Sequence, residues 1–267
     1  TETDIGINLS KNHPEFLAQF YFFKGYGYEY TNNQYVKAVM YYEKSLELAQ
    51  KYKNLRLETS NLMRLNYMYY SVKDHEKGRK LIEYVKSIVD TVKDQDSKAT
   101  MLGSIGEYYL DRSEFENFIT YKLKAINLLL ADKKPDEMKV NNIGVSYLQI
   151  ADAYNDMGQY EKTLEYCKYA EPYLNQDDGI AFLHNSYIEA FTHLDDLKSA
   201  QKYYKQLYKI AEGNPILDLN ISYGNRNMAE YYLKKNRLQL AEDYANKAVY
   251  FGKKSQDEEI LMEANVI

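Results

Sequence analysis

Apolar and polar positions along this chain alternate with a helical period, and the amphipathic stretches come in pairs closed by short polar turns. In residues 145–174, Tyr147, Ile150, Ala151 and Tyr154 recur at the i, i+3, i+4, i+7 spacing of one helix face. Met157-Gly158 interrupts that face, because glycine takes a left-handed backbone at a helix C-terminus at little cost. A second face then runs through Tyr160, Thr163, Leu164, Cys167 and Ala170, and Pro172 limits its continuation. Equivalent turn positions elsewhere hold Asn33, Lys73, Ser113, Asp195 and Asn236, mostly residues that favour turns. Pro14 suits the first turn of the opening helix.

The pairs repeat. With the packing residue early in each second helix as anchor, Ala38, Gly78, Phe118, Thr163, Ala200 and Ala241 follow one another at steps of 40, 40, 45, 37 and 41 residues. Nine residues before each anchor stand Glu29, Tyr69, Tyr109, Tyr154, Phe191 and Tyr232, aromatic in all but the first. Three before stand Tyr35, His75, Phe115, Tyr160, Leu197 and Leu238; seven after stand Ser45, Val85, Ala125, Ala170, Leu207 and Ala248. A fixed period of this length predicts an all-α solenoid, whose stacked units bury what no single unit can. The pattern gives one continuous domain over 1–267, with units near 19–52, 59–92, 99–131, 144–176, 181–212 and 222–253. Residues 258–267 begin what reads as the first helix of a further unit, so the natural protein is expected to continue beyond them.

These residues resemble the tetratricopeptide repeat (TPR) family. The match is clearest in the fourth unit, through Ala151, Tyr154, Gly158, Tyr160, Ala170 and the nearby Pro172. The third unit matches through Gly106, Tyr109, Phe115 and Ala125, and the sixth through Ala229, Tyr232, Ala241 and Ala248. The resemblance implies a right-handed superhelical α-solenoid of about six helix pairs, whose first helices line a concave groove for a peptide or partner helix. Two departures stand out. The period exceeds the roughly 34 residues typical of the family, and Phe118 and Thr163 replace the preferred alanine, which implies wider helix spacing there. Long-helix arrays of this type are similar to the sensing regions of bacterial regulators, attached to a kinase, a DNA-binding domain or a peptide-controlled output.

Charge narrows the partners. The chain carries a net −5 and has no Lys/Arg-rich run to displace counterions from phosphates, which argues against nucleic-acid binding by this segment. No stretch approaches the roughly 18 apolar residues of a membrane span, and the first residues lack a basic region followed by an apolar one. The chain does not begin with Met, so a leader could already be absent. Cys167 is the single cysteine, which rules out an internal disulfide and leaves the compartment open.

The groove-facing position that the resemblance implies, eleven before each anchor, reads Gly27, Tyr67, Glu107, Asp152, Glu189 and Glu230. Four consecutive units thus place an acid at one position, and Asp111 and Asp156 follow Glu107 and Asp152 by one turn. An acidic stripe attracts a basic peptide or a free amino terminus and speeds encounter at low salt; the same acids could instead form a solvated face or pair with lysines of neighbouring helices. Asn155, Asn185 and Asn227 are candidate partners for a bound peptide backbone. Phe20, Phe23, Gly27 and Tyr30, with Ser60, Met63, Tyr67 and Tyr70, offer an aromatic and methionine surface for an apolar anchor, or ordinary helix packing. The lysine and asparagine clamp of TPR proteins that hold acidic C-termini maps onto Phe23, Gly27, Arg64, Thr100 and Ser104. Only Arg64 has a suitable charge, so that clamp is absent.

Catalysis finds no motif. His13, His75, His184 and His193 show no metal-binding spacing, Cys167 falls on a packing stripe, and no cofactor is implied. The expected function is recognition of a peptide or protein, of basic character, within a larger signalling or transcription-regulating protein, with a change of curvature on binding passed to an output domain. The alternative is a structural scaffold or homodimerisation module that meets a second copy through its tyrosine-rich faces, and a weaker one is an adaptor for a chaperone or secretion complex.

Overall fold

A computed structural model describes residues 2–32 and 34–255, all of whose regular structure is helical. The turn at Asn33 and the half-unit at 258–267 lie outside the described residues. In chain order the helices are α1 (Glu2–Leu9), α2 (Pro14–Asn32), α3 (Tyr35–Lys51), α4 (Leu55–Ser71), α5 (His75–Ile88), α6 (Gln95–Leu110), α7 (Phe115–Leu130), α8 (Glu137–Asp156), α9 (Tyr160–Ala170), α10 (Asp177–His193), α11 (Leu197–Ala211), α12 (Asp218–Lys234) and α13 (Leu238–Ser255). They group into two compact units, Thr1–Lys133 and Lys134–Ile267. No helix among the described residues is long and apolar enough to cross a membrane.

Five of the helical hairpins are made by the same backbone device. Lys73, Ser113, Gly158, Asp195 and Asn236 all take positive φ, between 55° and 66°. At each, the following residue returns its N–H to the carbonyl of the aromatic residue that heads the repeat pattern: Asp74 to Tyr69 at 2.8 Å, Glu114 to Tyr109 at 2.9 Å, Gln159 to Tyr154 at 2.8 Å, Asp196 to Phe191 at 2.9 Å and Arg237 to Tyr232 at 2.9 Å. This is the Schellman closure, which satisfies carbonyls orphaned at a helix end. Only Gly158 reaches that conformation without steric cost. Asp74 and Asp196 then cap the next helix, accepting from the N–H of Lys77 and of Ser199, each at 3.1 Å. Asn54, Asp94 and Asp136 start α4, α6 and α8 in the same way.

The anchor column is the packing seam: Ala38, Phe118, Thr163 and Ala200 are wholly buried and Ala241 nearly so. The column seven residues on is equally closed, whereas His75 and Leu238, three before their anchors, are exposed. Phe118 fits because Gly106 faces it on α6, where a Cβ would come within 3.4 Å of the Phe118 carbonyl oxygen. Thr163 keeps its hydroxyl satisfied on the carbonyls of Ala151 and Gln159, at 3.3 and 3.4 Å.

In the N-terminal unit the core runs through Leu62, Leu65, Met68, Ile82, Val85 and Ile105. Tyr42 is fully buried there and occupies the space left by Gly25, whose missing Cβ would lie 2.9 Å from its ring. In the C-terminal unit Leu148, Ala151, Cys167, Ala170, Leu183 and Tyr187 form one cluster, and Ile188, Leu207, Ile221 and Met228 belong to another. Tyr187 stacks on Tyr203 at 4.2 Å between ring centroids. Such offset aromatic pairs add about 0.5–1.5 kcal/mol beyond their buried area. Burial of Cys167 pushes its thiol well above its ordinary pKa, so it behaves as a small apolar residue.

Candidate functional site

The first helices of each unit carry a polar concavity, and the predicted site residues divide between them. In the C-terminal unit a cavity of about 240 Å³ lies among α8, α10 and α12. Asp152, Asn155 and Asp156 line it from α8, Phe182, Asn185, Ser186 and Glu189 from α10, and Tyr223, Arg226 and Asn227 from α12. Six of the predicted residues thus meet: Asp152, Asn155, Asp156, Asn185, Glu189 and Asn227. They converge because i, i+3 and i+4 positions share a helix face.

The electrostatics of this cavity follow from burial. The Asp152 carboxyl is pushed up to about 7 by desolvation, with the charges of Glu189 and Asp156 adding to the rise. Desolvation also raises Asp156 and Glu189, and the Arg226 guanidinium opposes it at Glu189. Arg226 pairs with Glu230 at 3.8 Å and lies over the Tyr223 ring at 5.2 Å. Glu230 itself is half-buried and lies outside the lining. Asn185 donates to the Asn220 carbonyl at 3.0 Å. Asn155 is only 7% exposed, and neither its Nδ2 nor its Oδ1 has a hydrogen-bond partner.

In the N-terminal unit, Glu29, Tyr30 and Tyr35 join Met63, Arg64, Asn66 and Tyr67 and then Ser104, Glu107 and Asp111 around a cavity of about 450 Å³. Here Glu107 and Glu29 are already engaged. Lys122 donates to Glu107 at 2.5 Å. Glu29, 5% exposed, accepts from the Tyr42 hydroxyl at 2.5 Å and pairs with Arg64 at 3.2 Å. Arg64 also donates to the Tyr30 hydroxyl at 2.7 Å and lies over the stacked rings of Tyr26 and Tyr30. Burial raises the Asp111 carboxyl to about 6, helped by Glu107 and opposed by Arg112. Tyr67 and Met63 are exposed at this cavity; Phe23 is exposed on α2 outside its lining. A side chain at Gly27 would meet nothing within 4 Å.

Sequence reasoning passed over Glu29, Phe182 and Tyr223 as site residues. Glu29 left a signal, as the one non-aromatic member of its column. Phe182 and Tyr223 left none, since an aromatic on an amphipathic helix reads as packing until its neighbours are known.

Tandem helical hairpins closed by left-handed turns over small-residue seams define a TPR-like α-solenoid. No family model matches the sequence, and no curated protein matches it. Among solved structures the chain is similar to the apo form of RapI, at 13% identity and a TM-score of 0.64 over 90% of this chain and 84% of that one. It is similar to a Rap protein complexed with Competence and Sporulation Factor, at 14% identity and 0.56 over 92% of this chain and 65% of the other. A signal-transduction ATPase with a tetratricopeptide repeat sensor from Pyrococcus horikoshii matches at 19% identity and 0.65, over 94% of this chain but 39% of its own. At such identities the likeness is one of fold.

Proposed function

We propose that this chain is a recognition module that holds a peptide or protein segment of basic character on its first helices, as the sensing part of a larger signalling or transcription-regulating protein. The observation that carries the reading is the C-terminal cavity, where Asp152, Asp156 and Glu189 converge on Asn155, a buried amide with neither end satisfied. Carboxylates and unpaired amides at one concave surface match the charge and backbone groups of a peptide. The likeness to a Rap protein complexed with a factor and to a repeat sensor of a signalling ATPase supports this reading. No catalytic step is assigned to the chain.

The test is binding of a peptide array graded from basic to acidic, at low and high salt, to the full chain and to an Asp152→Asn/Glu189→Gln variant. Basic peptides should bind selectively, lose affinity as salt screens the carboxylates, and weaken at least tenfold on the variant. Identical binding by the variant, or no binding by any peptide class, refutes the reading. Concentration-dependent mass in light scattering without ligand would then favour self-association.

A further inference from the structure

The C-terminal cavity holds more than a cluster of acids. Asn155 brings one acceptor and one amide donor group, both buried and both without a protein partner, an arrangement that costs stability until a ligand satisfies them. Arg226, the one cation of the lining, lies 3.8 Å from Glu230 and also acts on Glu189; against it stand three carboxylates, Asp152, Asp156 and Glu189, around a space of about 240 Å³.

We infer that this cavity receives a protonated primary amine, the shared chemistry of a peptide's amino terminus and of a lysine side chain. The inference rests on the peptide-recognition reading and gives it a chemical end point. An ammonium has three N–H donors and no acceptor, so the carboxylates and the Asn155 Oδ1 supply what it needs. A guanidinium would engage one carboxylate bidentately through its rigid planar fork, whereas an ammonium spreads its three donors over acceptors on different helices. Phe182 and Tyr223 offer apolar and π faces to the adjoining methylenes. Asn155 Nδ2 is left to donate to a carbonyl beside the amine, which is where an amino-terminal residue carries one.

Proton release accompanies binding. A cation in the cavity favours ionised Asp152, whose carboxyl otherwise holds its proton up to about pH 7. The groups around this equilibrium are Asp156 on α8, Cys167 on α9, Glu189 and His193 on α10, and Arg226, Glu230 and Lys234 on α12. Desolvation and Lys234 lower the His193 pKa, so its ring is neutral where Asp152 titrates. Affinity for an amine therefore falls as pH drops below 7.

The test uses the full chain with 13C-labelled Asp and Glu carboxyls, titrated with n-butylammonium, n-butylguanidinium and tetramethylammonium at pH 7.5 and 5.5. The expected result is a saturable shift at Asp152 with n-butylammonium at pH 7.5, weaker at pH 5.5, with little response to the other two cations. Asn155→Leu should abolish the response at Asp152, and Asp152→Asn should abolish the accompanying shift read at the Glu189 carboxyl of the same cavity; the second keeps the side-chain shape should the first not fold. Array-selected peptides are then compared with Nα-acetylated and Lys→norleucine forms, where blocking the bound amine should cost at least tenfold. Loss on acetylation assigns the amino terminus, and loss on norleucine assigns lysine. If n-butylammonium gives no saturable shift and both blocked forms bind unchanged, the amine site is overturned while peptide recognition stands. If n-butylammonium binds but no peptide does, the amine site stands and the peptide reading falls.

Discussion

Replacing Asp152 with asparagine should make the protein more stable at pH 8, and the size of the gain can be worked from the cavity. The Asp152 carboxyl titrates near 7 in the folded chain against about 3.9 in an unfolded one. Between those values the folded state binds the proton and the unfolded state does not, so stability falls as pH rises from about 4 to 7 and is flat above. The full linkage is at most about 4 kcal/mol, at about 1.4 kcal/mol for each tenfold change in proton affinity. Water entering an open cavity relieves part of it, and we expect the variant to gain about 1–2 kcal/mol at pH 8. The gain should shrink toward zero below about pH 4, where the wild-type carboxyl is protonated in both states. Urea unfolding at pH 8, 6 and 4 measures this, followed by emission from the 30 tyrosines in a chain without tryptophan. Amide exchange within α8 places the gain in the right helix. A variant less stable than wild type at pH 8, or a gain independent of pH, refutes the assignment of a strained, buried carboxylate to this position.

Arg64→Met should cost about 3 kcal/mol by stranding the Glu29 carboxylate, 5% exposed, on the Tyr42 hydroxyl alone; Glu29→Gln in the same background should recover part of that loss in thermal melts. Phe118→Ala should lower stability by about 3–5 kcal/mol, since the ring is wholly buried against the α6 glycine. Gly78→Ala should raise it by about 0.5–1 kcal/mol, because the new Cβ meets its nearest neighbour, Tyr69 Cβ, at an ordinary 3.7 Å within a helix. Gly224→Ala should do the reverse, with Leu207 Cδ2 only 2.8 Å from the added carbon; matched urea curves for the two alanines test the contrast.

Much of the fold is legible in the residues because the repeat superimposes its evidence. Ala38, Ala200 and Ala241 mark the seam, and Lys73, Ser113, Gly158, Asp195 and Asn236 mark the turns that the backbone adopts. Helix α1, which precedes the one expected to open at Pro14, was not legible: eight residues with Gly6 packed under Phe20 have no repeat partner to reinforce the pattern. The candidate site was legible in part. Register placed Asp152 and Glu189 on one surface, and the cavity among α8, α10 and α12 holds both. Register could not separate these acids from Glu107, because its neutraliser Lys122 comes from the following helix, fifteen residues away. Nor could it expose the Glu29–Arg64 pair, which joins α2 to α4 across 35 residues.

The hairpin turns have a consequence for how such a chain can change over time. Lys73, Ser113, Asp195 and Asn236 hold a left-handed backbone that costs a side chain about 1–2 kcal/mol, less for Asp and Asn. All four lie on the exposed surface and their closing hydrogen bonds run through main-chain atoms. A lineage can therefore lose the glycine at one turn after another, each step small against the stability of the whole, without moving a helix. The architecture thus tolerates a motif whose most recognisable letter is missing, and each such turn is a site where substitution by glycine should raise stability.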